Sequence, residues 1–347
     1  MIHTKKKNEL LAHIAGSEKL KGKKILITGA CGLIGSSIAE TLLLFGEDLP
    51  EEQKPVVFAA GRSEEKFRNR FAEEEGPFFR FLRFDACEPV LSFKESFDYI
   101  IHCASNAHPA AYVKEPVETM LSNLTGTETL LNYGRQCGAQ RFLYVSSSEV
   151  YGKKDSPDSY REEDYGFLDL LNPRACYPSA KRAAETLCSA FSEEFGLETV
   201  IVRPGHIYGA VFTQADTRAY AQFLQNAAEG EDIVMKSAGS QMRSYCYSYD
   251  CAAAILSVLT SGASQNAYNI SDESCLMTIR ELAEYCATAG GAKVVFDIPS
   301  EEEAKGYNLM DNSSLNGEKI ASLGWSCAFS PEEAIQESLA VLRSLKK

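Results

Sequence analysis

The segment from Lys23 to Leu44 constrains the fold more than any other. Lys23-Lys24-Ile25-Leu26-Ile27-Thr28 is an apolar, β-branched run of strand length, and it passes straight into Gly29-Ala30-Cys31-Gly32-Leu33-Ile34-Gly35. Ser36-Ser37-Ile38-Ala39-Glu40-Thr41-Leu42-Leu43-Leu44 follows with the composition of a helix. A glycine turn between a buried strand and a helix lets backbone N–H groups approach a pyrophosphate at the helix N-terminus. The spacing is G-x-x-G-x-x-G rather than G-x-G-x-x-G, and such a pattern carries weight only in a strand–turn–helix setting, which it has here. Gly29, Gly32, Leu33, Ile34 and Gly35 are therefore candidates for holding a dinucleotide.

Further strand-like runs follow in the alternation that a parallel sheet requires. Val56–Ala60 ends at Gly61-Arg62-Ser63, where an acidic residue would bind the adenosine ribose of NAD. No acid is there, and Arg62 stands beside the gap. An arginine at that place either holds a 2′-phosphate or stacks on adenine, so NAD and NADP both stay open. Phe81–Asp85 reads as a third strand; Asp85 is either an acceptor for an adenine amino group or a turn residue ahead of Cys87-Glu88-Pro89. Phe97–Ser105 is the fourth, its C-terminal end with Ala104 facing the crevice where open α/β sheets bind ligands. His102 reads as a core residue and His108 as a loop residue, either near a substrate or simply exposed. Arg141–Val145 and Thr199–Arg203 complete the series.

The expected fold class is α/β: a Rossmann-type doubly wound parallel sheet with a smaller C-terminal α/β substrate domain. The dinucleotide-binding domain is placed at 21–203 plus 243–272, and the smaller domain at 204–242 plus 273–347. Residues 1–20 form a helical extension, with Asn8–Leu20 as an amphipathic helix on the body of the protein. Ala267–Ile270 reads as a short strand, and Thr278–Ala283 opens a helix. Ser300–Asn316 is loop-like, and Ser330-Pro331-Glu332-Glu333-Ala334 is a capped helix start.

Composition narrows the function. The net charge is -13, spread along all 347 residues, which argues against nucleic acid or an anionic membrane as partner. Eleven cysteines fall at irregular spacings without a C-x-x-C, so neither a disulfide framework nor a metal site is expected; Cys31, Cys103, Cys188 and Cys251 read as reduced core thiols. No apolar run reaches spanning length and no signal peptide stands out, so the expected location is cytoplasmic.

The chemistry is expected in Arg174-Ala175-Cys176-Tyr177-Pro178-Ser179-Ala180-Lys181-Arg182-Ala183-Ala184-Glu185. Pro178 suits a first helical turn, and the Ala, Lys, Arg and Glu that follow favour helix. Tyr177 and Lys181 then stand one turn apart on one face. A nearby ammonium is expected to lower the phenol from its usual pKa of about 10, so that it accepts a proton from a sugar or alcohol hydroxyl. Ser146-Ser147-Ser148-Glu149 at the end of the fifth strand lies thirty residues earlier, room for a return to the same crevice.

Gly29–Gly35, Ser147-Ser148-Glu149-Val150-Tyr151-Gly152 and Tyr177 with Lys181-Arg182 together resemble the extended short-chain dehydrogenase/reductases that modify nucleotide sugars. Within them the chain is most similar to the UDP-glucuronate decarboxylases, through these stretches and through Arg174-Ala175-Cys176, Arg243 in Gln241–Tyr247, His102–Ser105, Tyr112, Pro116 and Asn123–Thr127. The resemblance implies a nucleotide-diphosphate sugar as substrate and a transient 4-keto sugar. Tyr177 would take the proton from the 4-hydroxyl, Lys181 would hold the nicotinamide ribose, and Ser147 would bind O4. Glu149 and Arg243 would manage protonation at C5 and the charge of the departing carboxylate. Tyr112, Ser148 and His206 would line the substrate, and Asn123 the cofactor. A homodimer through the helix after Asn123 and the Lys181 helix is implied as well. Pro178-Ser179-Ala180, Asn106-Ala107-His108 and His206 depart from the family's pattern, all around the sugar site. An epimerase or 4,6-dehydratase keeps the same 4-keto chemistry, and a silent dinucleotide-binding sensor is a third reading.

Overall fold

In the computed structural model the described residues are 6–71, 74–89, 91, 93–105, 109–212, 216–298 and 312–345. The strands β1 (Lys24–Thr28), β2 (Val56–Gly61), β3 (Phe79–Arg83), β4 (Tyr99–His102), β5 (Arg141–Val145) and β6 (Thr199–Pro204) carry the large sheet. After β6 come β7 (His206–Tyr208), β8 (Ile233–Met235) and β9 (Met242–Tyr247), before β10 (Asn266–Ile270) returns to the β6 edge. β11 (Leu276–Thr278), β12 (Val294–Phe296) and β13 (Asn312–Ser313) follow. Among the described residues the large sheet has seven strands in the order β10-β6-β5-β4-β1-β2-β3, and every pairing is parallel. Because β2 and β4 flank β1, the strand order reverses there, and a crevice opens at the C-terminal ends of β1 and β4.

Parallel strands need cover on both faces, and their side chains alternate between two cores. Ile25, Ile27, Val57, Ala59, Ile101, Leu143, Val200 and Val202 join one core; Leu26, Phe58, Ala60, Ile100, Phe142, Tyr144 and Ile201 join the other. The helices are α1 (Lys7–Ala12), α2 (Leu33–Gly46), α3 (Glu64–Phe71), α4 (Pro109–Lys114), α5 (Pro116–Cys137), α6 (Cys176–Phe195), α7 (Ala219–Glu229) and α8 (Ser248–Ser261). Among the described residues, α9 (Ile279–Gly290), α10 (Glu318–Ala321) and α11 (Pro331–Ser344) complete them. α2 and α8 pack together over the first core, α5 and α6 over the second. α8 is buried from Ser248 to Thr260, which is why Ala252-Ala253-Ala254 presents no polar face.

Two expectations change. The N-terminal helix stops at Ala12; Gly16, at φ +70, turns the chain into a 3₁₀ turn over Ser17–Leu20. Leu10, Ile14 and Leu20 still face inward, and Ser257 and Thr260 of α8 bond the carbonyls of His13 and Ala15. Residues 243–247, grouped by sequence with the dinucleotide-binding part, form a strand of the smaller sheet: β9 pairs parallel with β7 and β13 and antiparallel with β11. The capped helix start at Ser330 with Glu333 is present on α11, and the helix opening at Thr278, α9, carries a capping box with Glu281 as well.

Candidate active site

The glycine turn is tight because backbone meets backbone. Gly29 takes φ +68, and a Cβ on it would lie 2.9 Å from the Ala104 nitrogen. A Cβ on Gly35 would lie 2.4 Å from the Gly29 carbonyl oxygen, so α2 seats directly on the end of β1. Gly32 precedes α2 and brings no capping side chain. The first-turn N–H groups of Leu33, Ile34 and Gly35 therefore have no acceptor within the helix, and the missing side chains leave them open to an anion. This cradle fits the pyrophosphate of a dinucleotide.

From this turn a cavity of about 330 Å³ runs past Gly61, Arg62 and Ser63 to Asp85 and Ala104. Arg62 is exposed at its rim. Asp85 is a turn residue, its Oδ1 accepting from the Cys87 N–H at 3.0 Å, and it also lines the cavity. Lys66 lines it too; sequence reading passed it over, although it is the next cation after Arg62, at the start of α3. Ala104 is anchored by its N–H donating to the Thr28 hydroxyl at 3.2 Å, and that hydroxyl also meets His102 Nδ1 at 2.7 Å. His102 is buried, and burial pushes its pKa down to about 3, which keeps it neutral. Asn123, expected at the cofactor, spends its amide on the chain: Nδ2 donates to Thr119 and Oδ1 accepts from the Ser105 hydroxyl at 3.0 Å.

Next to the crevice, α6 carries Tyr177 and Lys181 on the face that also buries Ala180, Ala184 and Cys188. Asn172 caps the 3₁₀ turn Pro173–Ala175 that leads into it, accepting from the Arg174 N–H at 2.9 Å. Lys181 donates from Nζ to the carbonyl of Val145, the last residue of β5, at 2.8 Å; it lies 4.6 Å from the Tyr144 ring centre and 5.7 Å from that of Tyr177. Burial pulls its pKa down to about 8. Tyr177 stacks on Tyr112, ring centres 4.5 Å apart at 13°. Burial pushes the Tyr177 phenol above its ordinary value, the Glu149 charge adds to that, and Ser147, Tyr112 and Arg174 pull the other way. The expected lowering by Lys181 is therefore corrected: burial dominates the phenol, and the ammonium is turned to the Val145 carbonyl.

Ser147, two residues past the end of β5, caps the short turn Ser148–Tyr151, its hydroxyl accepting from the Glu149 N–H at 3.2 Å. Glu149 is gripped by both Nη atoms of Arg174, at 3.0 and 3.2 Å. Arg174 in turn lies 4.6 Å over the Tyr112 ring, so Arg174, Tyr112 and Tyr177 form one column. Tyr112, expected against substrate, is buried within that column. Sequence reading used Arg174 only as part of a motif; its pairing with a residue 25 positions away leaves no spacing signal. Arg243 is on β9, buried, with Nη1 donating to the Met242 carbonyl at 2.8 Å. Among the described residues, Glu149 pairs with Arg174 rather than with Arg243. His206, at the start of β7, is exposed, its ring 5.3 Å from that of Tyr245. His108 and its neighbours Asn106 and Ala107 lie outside the described residues.

Residues 25–271 match the NAD dependent epimerase/dehydratase family. The chain is 28% identical over 324 residues to UDP-glucuronic acid decarboxylase 1 of Xenopus tropicalis, covering 92% of this chain and 72% of that protein. It is 32% identical over 265 residues to UDP-glucuronic acid decarboxylase 5 of Arabidopsis thaliana, covering 75% of this chain and 73% of that one. A crystal structure of dTDP-glucose 4,6-dehydratase from Streptomyces venezuelae with NAD bound superposes at a TM-score of 0.75 with 25% identity, over 92% of this chain and 97% of that one. With its glycine turn, its sheet order and these relatives, the chain belongs to the NAD dependent epimerase/dehydratase family.

Proposed function

We propose that this chain is a nucleotide-sugar decarboxylase that acts on a UDP-uronate through a transient 4-keto sugar. The observation that carries the reading is the set Ser147, Tyr177 and Lys181, gathered at the ends of β5 and α6 with Glu149 beside them. The turn Gly29–Gly35 would hold the pyrophosphate of the cofactor, and Arg62 and Lys66 its adenosine end. Arg62 just past β2 and Lys66 in α3, with no acid directly after β2, favour a 2′-phosphate, while the solved relative holds NAD. When bound, the oxidised dinucleotide supplies a hydride acceptor at C4 and a positive charge that draws the phenol pKa down.

Tyr177 takes the proton of the 4-hydroxyl, and Ser147 holds O4 in line with it. The resulting 4-keto-uronate is a β-keto acid: its C5–carboxylate bond breaks, carbon dioxide leaves, and the electron pair stays at C5. A proton is then delivered to C5 on the side of Glu149 and Arg174, and Tyr177 returns its proton to O4 as C4 is reduced again. Arg243, on the smaller sheet, faces the substrate's charged end. The net change is loss of carbon dioxide with uptake of one proton.

The division into a cofactor part, 21–203 plus 243–272, and a substrate part, 204–242 plus 273–347, belongs to this reading, as does a cytoplasmic homodimer. Exposed Val113, Val117 and Leu121 on α4 and α5 support a second copy there. The test is incubation with UDP-glucuronate and either dinucleotide, followed by mass spectrometry. Carbon dioxide and a UDP-pentose are expected. An unchanged mass with altered stereochemistry makes the chain an epimerase, loss of water a dehydratase, and no turnover across a panel of nucleotide sugars ends the enzyme reading.

A further inference from the structure

Cys246, Cys275 and Cys327 come from three distant places: β9, the turn ahead of β11, and the loop ahead of α11. Their Sγ atoms all lie within 4.8 Å of one another, those of Cys275 and Cys327 at 3.5 Å. We propose that these three thiols bind a thiophilic divalent cation, Zn²⁺ above others, which ties the loop before α11 to the smaller sheet. Tetrahedral zinc at about 2.3 Å from each sulfur sets the sulfurs about 3.8 Å apart, within the span seen here. Each thiol releases its proton to solvent on binding, and the divalent charge offsets two of the three thiolate charges.

The frame around the thiols is built. Asp272 accepts from the Ser274 N–H at 2.8 Å and from the Cys327 N–H at 2.7 Å, so one carboxylate fixes both ligand-bearing segments. The Cys275 N–H donates to the Asp272 carbonyl at 3.1 Å. Asp250, buried at the start of α8, accepts from the Ala328 N–H at 2.7 Å, next in the chain to Cys327. Its second oxygen is buried without a partner among the described residues. Both carboxylates hold ligand backbone in place, which is the support that metal ligands need. Cys246 is three residues along β9 from Arg243, so a cation here braces the strand that carries that arginine.

The full chain, reduced and freed of metal by chelation, is titrated with Co²⁺ as a spectroscopic probe and then with Zn²⁺ in competition. One Co²⁺ per chain with thiolate-to-cobalt charge-transfer absorption is expected, displaced by one Zn²⁺. Cys275→Ser and Cys327→Ser abolish the band, Cys137→Ser leaves it, and Asp272→Ala weakens binding by about 10–100-fold. Where a cluster variant fails to fold, wild-type protein decides: Zn²⁺ must protect Cys327 from alkylation relative to chelator. Absence of the band, survival of the band in Cys275→Ser, or unprotected Cys327 overturns the proposal. These readouts need no substrate, so they stand or fall apart from the decarboxylase reading.

Discussion

Replacing Lys181 by methionine removes a charge and keeps an unbranched side chain. In the fold the ammonium is buried, and its pKa sits at about 8 against the ordinary 10.5. At about 1.4 kcal/mol per pH unit, holding that proton in the folded state costs about 3 kcal/mol at pH 7. Methionine escapes this cost but leaves the Val145 carbonyl without its donor at 2.8 Å; such a loss costs about 1–3 kcal/mol. The variant should therefore match or exceed the wild type by up to about 2 kcal/mol at pH 7. The pH dependence is the sharper test. The unfolded chain binds the Lys181 proton more tightly than the folded one, so wild-type stability rises with pH between about 8 and 10.5. About 2.5 kcal/mol of that gain, measured against the variant, arrives between pH 7 and pH 10, and the order of stability reverses. Urea unfolding read through Trp325, the one tryptophan and a buried one, reports both proteins under the same conditions. A difference that stays flat across that range would show that burial does not strain the ammonium, and the argument would fail. Turnover should vanish in the variant, and in the wild type kcat/KM should fall as pH rises through about 8.

Tyr177→Phe keeps the stack on Tyr112 and loses the phenol oxygen; turnover should drop by about 10²–10⁴-fold or more while dinucleotide binding by fluorescence titration is kept. Activity within a few-fold of wild type would remove Tyr177 as the base. Arg62→Ala should weaken NADP far more than NAD in the same titration, since a 2′-phosphate is the group an exposed guanidinium at the β2 end can grip. Equal losses for the two cofactors would show that Arg62 does not read that phosphate.

Local constraints were legible in the sequence and distant ones were not. The turn from Gly29 to Gly35 shows itself because strand, glycine and helix are consecutive, and a Cβ at either end would meet backbone. The sheet shows itself because buried parallel strands are apolar on both faces. β9 gives no such signal: its partners β7, β11 and β13 lie on both sides of it in the chain, with α8 and β10 in between. Tyr177 and Lys181 at one-turn spacing predict proximity, but spacing is silent on burial, and burial sets the direction of the Tyr177 pKa. The three thiols of Cys246, Cys275 and Cys327 meet only once the loop before α11 has folded back.

Position 174 calls for an arginine and not simply a cation. Its guanidinium has two neighbours at once: a flat ring below, Tyr112 at 4.6 Å, and a carboxylate in front, Glu149 at 3.0 and 3.2 Å. A planar fork satisfies both, stacking with its face and donating in pairs from its edge, whereas a lysine ammonium offers a point charge to one. The stacking is worth about 0.5–1 kcal/mol at a half-exposed site, and the paired hydrogen bonds add direction more than energy. Position 174 precedes Tyr177 by three residues at the entry to α6, and Asn172 pins that entry. Glu149 thus takes its orientation from the same short turn that places Tyr177, and a shift of that turn would move the carboxylate and the phenol together.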